Sequence, residues 1–183
     1  MTRAHLYYND EVIMKAADLA NKSYEFLGQQ VLILVEEVEQ FGRLLPFLKH
    51  PVKFAHGPLT KQNIGDVPEA YQKVDVKELV EDFNARKFPF LVGTSCISTG
   101  TDIQPAEHVI YLRGGKSEVQ VRQSVGRGTR RIEGQGKTCF NFTDFVVEVD
   151  AIPSATCVEK HAKERAKIYA DIYPNSVEEI SYG

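Results

Sequence analysis

The sequence predicts an α/β fold: three layers, with a central, mostly parallel sheet flanked by helices. Three observations carry this expectation. Short apolar runs rich in branched residues, VLILV at Val31 to Val35 and HVIYL at His108 to Leu112, do not alternate with polar residues. Such runs suit strands covered on both faces, which is the habit of parallel sheets. Between them lie segments with apolar residues at helical spacing, and the order of elements, βα, β, αβ, β, αβ, α, is that of a sheet with crossover helices.

In chain order, Val12, Ile13, Ala16, Ala17 and Ala20 recur at helical spacing, predicting a helix from about Asp10 to Asn21, with Gly28 as punctuation after it. The strand Val31 to Val35 follows. Val38, Phe41, Leu44, Leu45 and Leu48 then form one apolar face of a helix that ends before Pro51. Val52 to Ala55 reads as a second strand closed by His56-Gly57. From Pro58 to Gln72 no period persists, which implies a small helix around Pro68 to Gln72 or a loop beside a site.

Asp75, with Glu78 three residues on, makes a capping box ahead of Val76, Leu79, Val80 and Phe83, so a helix should run to about Arg86. Phe88 to Gly93 and His108 to Leu112 are the third and fourth strands. Ser117 and Gln120 open a further helix that stops near Gly126 or Gly128. Thr138 to Val146 mixes β-branched and aromatic residues as a last strand. A polar helix from about Thr156 to Asp171 closes the chain, with Val158, Ala162, Arg165 and Tyr169 on one face and Pro174 beyond.

Composition bounds the function. A chain of 183 residues fits one domain; 43% hydrophobic and 26% charged residues are ordinary for a globular protein. No apolar run spans a bilayer and the first residues lack a secretory pattern, so a cytoplasmic protein is expected. Cys96, Cys139 and Cys157 stand too far apart for a disulfide framework or a zinc spacing, and no metal is expected on this chain alone. The net charge is -3, yet Tyr111 to Lys137 carries seven basic and two acidic residues, a local patch suited to phosphates.

The segment QSVGRGTR, Gln123 to Arg130, carries the strongest chemical signal. Gln123 and Arg127 lie four residues apart and Arg130 follows at i+7, so the three can converge on one spot. Two guanidinium forks suit the charge that builds during phosphoryl transfer. Gly126 and Gly128 allow close backbone approach. The competing reading is a solvated basic helix end.

In GTSCISTGTDI, Gly93 to Ile103, small and hydroxylated residues follow a strand terminus. Thr94 and Ser95 can donate hydroxyls and amides to a phosphate, and the Asp102 carboxylate beside Gly100 could accept from a ribose hydroxyl or simply cap a turn. No G-x-x-x-x-G-K-[ST] occurs; Gly114-Gly115-Lys116-Ser117 lacks the first glycine, since position 110 is Ile110.

The succession VLILVEEVEQFGRLLPFL, FAHG, FNARKFPFLVGTSCISTGTDI and QSVGRGTR resembles the second, C-terminal RecA-like domain of superfamily 2 helicases, with motifs IV, V and VI in order from about Leu27 to Val146. HAKERAKIY, His161 to Tyr169, is similar to the closing helix of DNA-directed members related to phage recombination helicases and type III restriction subunits. The whole chain, 1–183, is then one helicase lobe with its core at about 27–150 and its closing helix at about 156–171.

The resemblance implies a P-loop NTPase-like fold without its own P-loop. Arg127 and Arg130 match arginines that reach across the cleft to ATP phosphates, and Gln123 lines that cleft beside Gly126. Gly100 and Asp102 match residues near the nucleotide ribose, Thr94, with its neighbour Ser95, a residue that holds a backbone phosphate, and His56 and Gly57 a weaker element near nucleic acid. ATP with magnesium would be shared with an N-terminal RecA-like lobe carrying Walker A and B, and this chain alone would be inactive. Gln123, where RNA-directed DEAD-box members have histidine, tilts the substrate toward DNA, single-stranded or branched. Thr101 departs from the hydrophobic residue or alanine found in many members. Two rival expectations are a stand-alone binding module with the same fold and an unrelated α/β nucleotide-binding enzyme with a complete pocket.

Overall fold

The structure, a computed structural model, describes residues 9–97, 103, 106–114, 141–146 and 156–181. Helix α1 (Asp10–Leu27) starts where the Asn9 side chain accepts from the amides of Glu11 and Val12. It ends at Gly28, whose φ of 64° is the left-handed conformation that glycine adopts without a Cβ penalty. The helix thus runs past Asn21, where the apolar period fades. Nothing in Lys22 to Leu27 breaks it, and Ser23 still faces inward.

Strand β1 (Val31–Val35) is buried along its whole length. Helix α2 (Val38–Leu44) is shorter than its apolar face predicts, because Pro46 has no amide to donate to the preceding turn, and the chain tightens into a 3₁₀ turn at Leu45–Phe47. Strand β2 (Val52–Ala55) leads into a long loop holding 3₁₀ turns at Ile64–Asp66 and Glu69–Tyr71, the second where a small helix was expected. Helix α3 (Val76–Asn84) is capped by Asp75 as its sequence predicts, through the amides of Lys77 and Glu78. It stops two residues before Arg86, which takes a φ of 59° in the turn to β3 (Phe90–Gly93). Strands β4 (His108–Leu112) and β5 (Asn141–Asp144) and helix α4 (Thr156–Ile172) complete the described elements. The helix expected from Ser117 lies outside the described residues.

The five strands among the described residues are all parallel, in the order β2-β3-β1-β4-β5. Central β1 sets Leu32 beside Leu91 on one side and Val109 on the other. Its alternation divides the core: Val31, Ile33 and Val35 face α1 and α2 with Phe41 and Phe54, whereas Leu32 and Leu34 face the layer of Val80 and Phe83 from α3. Two covered faces explain why VLILV never alternates. No helix among the described residues is long and apolar enough to cross a membrane.

A buried polar line ties the first face to the sheet. The His108 ring sits between Ser23 Oγ at 2.6 Å and Thr143 Oγ1 at 2.8 Å, joining α1, β4 and β5. Hydroxyls donate or accept as they rotate, so a neutral ring satisfies both contacts. Burial lowers the His108 pKa from 6.5 to about 4.

Candidate nucleic-acid interface

Ligands of open parallel sheets bind beyond the carboxyl ends of the strands, and there the register gathers several candidate residues. Strands β2 and β3 pair as neighbours through Ala55 and Gly93. Beyond them the Thr94 amide donates to the Ala55 carbonyl at 3.1 Å, which fixes the start of the Thr94-Ser95 turn against the His56-Gly57 corner. The four sequence candidates His56, Gly57, Thr94 and Ser95 therefore meet at one edge.

Their side chains divide into two kinds. Ser95 is exposed and Gly57 partly so, while Thr94 is 7% exposed and His56 4%. Thr94 donates its hydroxyl to Cys96 Sγ at 3.5 Å, and the Ile97 amide donates to the Thr94 carbonyl, making a 3₁₀ turn at Ser95–Ile97. That turn requires Gly93. A Cβ there would lie 1.7 Å from Ile97 Cδ1 and 2.5 Å from its Cγ1, and Ile97 is fully buried.

The His56 ring turns away from solvent. Its Nδ1 lies 2.7 Å from the Gly57 carbonyl oxygen and its Nε2 2.8 Å from that of Tyr71, at the far end of the loop. Both ring nitrogens thus lie against backbone carbonyls, and the ring is nearly covered.

At the centre of the same edge, side chains sequence reasoning did not single out hold β1 and β4 together. Gln40, fully buried, donates from Nε2 to the Leu112 carbonyl at 3.0 Å and accepts at Oε1 from the amides of Glu36 and Glu37. Arg113, the residue after β4, answers by donating Nε to the Val35 carbonyl at 3.0 Å. The signal for Gln40 was present: a glutamine three residues after Glu37 at a helix start. Arg113 appeared in the sequence only as one charge of a basic patch.

Beside it, Asp144 at the end of β5 accepts from Arg165 Nε at 2.7 Å, Arg165 Nη2 at 3.2 Å and Tyr169 Oη at 2.8 Å. Burial pushes the Asp144 carboxyl up, and the Arg165 charge opposes that shift. Burial also pushes the Tyr111 phenol to about 12, with Arg113 pulling the other way, and raises Tyr169 beyond the usual phenol range. Gln123, Gly126, Arg127, Arg130, Gly100 and Asp102 lie outside the described residues. Among the described residues no group of three His, Cys, Asp or Glu side chains could hold a metal ion.

Residues 16–132, more than half of the chain, match the family described as Helicase conserved C-terminal domain. The chain belongs to that family. It is a C-terminal RecA-like domain of the superfamily 2 helicase type, as the motifs implied.

A curated relative, the transcription-repair-coupling factor of Rickettsia bellii, is 32% identical over 102 residues, 53% of this chain and 8% of its own length. This chain thus spans a small part of that protein. Among solved structures, T4 UvsW superposes with a TM-score of 0.60 at 17% identity, over 90% of this chain and 33% of that one. The C-terminal domain of the DEAD-box protein Dbp5 superposes with a TM-score of 0.53 at 16% identity, over 90% of this chain and 81% of that domain. At such identities these likenesses speak for the fold.

Proposed function

We propose that this helicase C-terminal domain is the second motor lobe of an ATP-dependent DNA helicase or translocase, working against an N-terminal lobe that carries Walker A and B. The observation that supports this most is the meeting of Gly57, Thr94 and Ser95 at the carboxyl edge of a parallel sheet, in a chain of the helicase family. In this reading the Thr94-Ser95 turn holds a backbone phosphate of the tracked strand through side-chain hydroxyls rather than base edges, the Thr94 amide being given to Ala55, which suits movement along any sequence.

Arg127 and Arg130, with Gln123 and Gly126, would face the ATP phosphates across the interlobe cleft, and Gly100 and Asp102 the ribose. Arginine supplies a planar, permanently charged fork where transferring phosphate gathers charge, a contribution worth roughly 10³ to 10⁵ in rate where an arginine finger acts. Magnesium would come with the nucleotide and be held by the other lobe. DNA is preferred over RNA in this reading because Gln123 opens the arginine segment.

The test is ATP hydrolysis by the full chain with and without single-stranded and forked DNA, then again after adding the candidate first lobe. Silence alone and DNA-stimulated turnover on mixing supports the half-motor. Robust hydrolysis by the chain alone overturns it and favours a complete nucleotide-binding enzyme.

A further inference from the structure

After β1 the chain moves outward to β2, and after β4 it moves the opposite way to β5, so the two connections part at the seam between β1 and β4. That is the switch point of an open parallel sheet, where the carboxyl ends of the strands leave a crevice. In this domain the end of the seam is filled. Val35 and Leu112 are its last register partners, and each gives its carbonyl to a side chain from across the seam. Gln40, on the helix that follows β1, takes Leu112 at 3.0 Å, and Arg113, just after β4, takes Val35 at 3.0 Å.

Both side chains are buried, Gln40 fully and Arg113 to 3% exposure. Apolar residues would fill that space without the desolvation penalty of an amide and a guanidinium; what the polar pair adds is a fixed geometry. Gln40 suits the place because a side-chain amide accepts and donates at once. Its Oε1 takes the amides of Glu36 and Glu37 while its Nε2 reaches Leu112.

The seam also separates the two halves of the working edge. On one side lie β2, β3 and β1 with the Gly57 corner and the Thr94-Ser95 turn; on the other lie β4 and β5, between which the sequence runs through Gln123, Arg127 and Arg130. We propose that Gln40 and Arg113 are positioning residues that couple nucleic-acid binding to ATP turnover, by locking the two halves of the carboxyl edge into one rigid piece. This inference rests on the reading of the chain as a second motor lobe, with a strand phosphate at Thr94 and ATP at the arginines. A load taken up at Thr94 then reaches the far half of the sheet instead of being lost as splay between β1 and β4. Each residue acts through the backbone carbonyl it holds.

The test is ATP hydrolysis by the full chain combined with the first lobe, titrated with single-stranded oligodeoxythymidine, beside fluorescence anisotropy for affinity. Gln40→Glu keeps an acceptor for the Glu36 and Glu37 amides and, as a carboxylate, loses the bond to Leu112. Arg113→Lys keeps the charge and puts a methylene where Nε meets Val35. Each should lower DNA-stimulated turnover on the order of fivefold while basal turnover and affinity stay within about twofold. Asp75→Ala, which weakens the cap of α3 away from the seam, should keep full stimulation. Stimulation kept by both seam variants, or a fall no greater than that of the basal rate or of Asp75→Ala, overturns the coupling role and leaves the lobe reading standing. No stimulation of the unaltered two-lobe protein overturns both. If Gln40→Glu does not fold, Arg113→Lys, which leaves every bond of Gln40 in place, carries the test alone.

Discussion

Arg165 Nε and Nη2 grip both carboxylate oxygens of Asp144, so the last described helix is fastened to the end of the edge strand by a fork-to-carboxylate pair shielded from water. Paired, these charges nearly offset the cost of their burial; halved, they do not. Arg165→Met should therefore cost about 3 to 5 kcal/mol in urea unfolding, while Arg165→Met combined with Asp144→Leu should recover much of that loss. A double variant no better than the single one would mean that the pair matters through Tyr169 or packing instead.

Stability should depend on pH through His108. Its pKa falls from 6.5 unfolded to about 4 folded, so the folded state disfavours the proton. Above pH 6.5 neither state binds it and the full contribution is present. Between pH 6.5 and about 4 the unfolded chain takes up the proton first and stability declines, by roughly 3 kcal/mol at the limit. Urea midpoints at pH 7, 5.5 and 4.5 should show a shallower decline for His108→Gln than for the unaltered chain.

Gly93→Ala should destabilise by about 1 to 3 kcal/mol, because the new methyl group overlaps a buried Ile97 side chain that has no room to retreat. Gly65→Ala, where nothing lies within 4 Å of the added atom, should leave the thermal midpoint almost unchanged. Equal shifts for the two would argue that the Ser95–Ile97 turn simply re-forms elsewhere.

Removing the cap at Asp75 should matter moderately. Asp75→Ala frees the amides of Lys77 and Glu78 and should cost about 0.5 to 2 kcal/mol, with hydrogen exchange fastest in the first turn of α3. Asp75→Asn should retain most of the stability.

In a two-lobe protein, Arg127→Ala should lower ATP turnover by roughly 10³-fold or more with DNA affinity largely kept. Thr94→Ala should do the reverse, weakening the dependence of turnover on DNA more than the basal rate. The two substitutions compared in one ATPase titration check this.

Much of the fold could be read directly. VLILV and HVIYL became β1 and β4 with the boundaries their apolar runs marked, because both faces of each strand are covered. Asp75 and Glu78 located the start of α3 for the same local reason that makes a cap. Helix ends were less legible: α1 outlasts its apolar period until Gly28, and Pro46 cuts α2 short inside an apolar face that looked continuous.

The site was legible as a set of residues and not as a set of orientations. Spacing placed His56 and Thr94 just after strands, but whether a ring faces solvent or its own backbone depends on Tyr71, fifteen residues away along the chain. Helical spacing likewise put Arg165 and Tyr169 on one face with Ala162. Only the partner on β5 reveals that this face is the buried one.

The strand order has a consequence for synthesis. Strand β1 is made first and ends at the centre of the sheet, yet both of its neighbours come later: β3 begins at Phe90 and β4 ends at Leu112. At about 5 to 20 residues per second, the 77 residues between Val35 and Leu112 keep VLILV without its second partner for roughly 4 to 15 seconds. A short, uncharged, branched strand is the kind of segment that pairs with copies of itself. The growing chain therefore passes through an interval in which α1, already complete on one side, is the main cover for the most apolar strand, and slowed translation between β1 and β4 is where aggregation of this domain would begin.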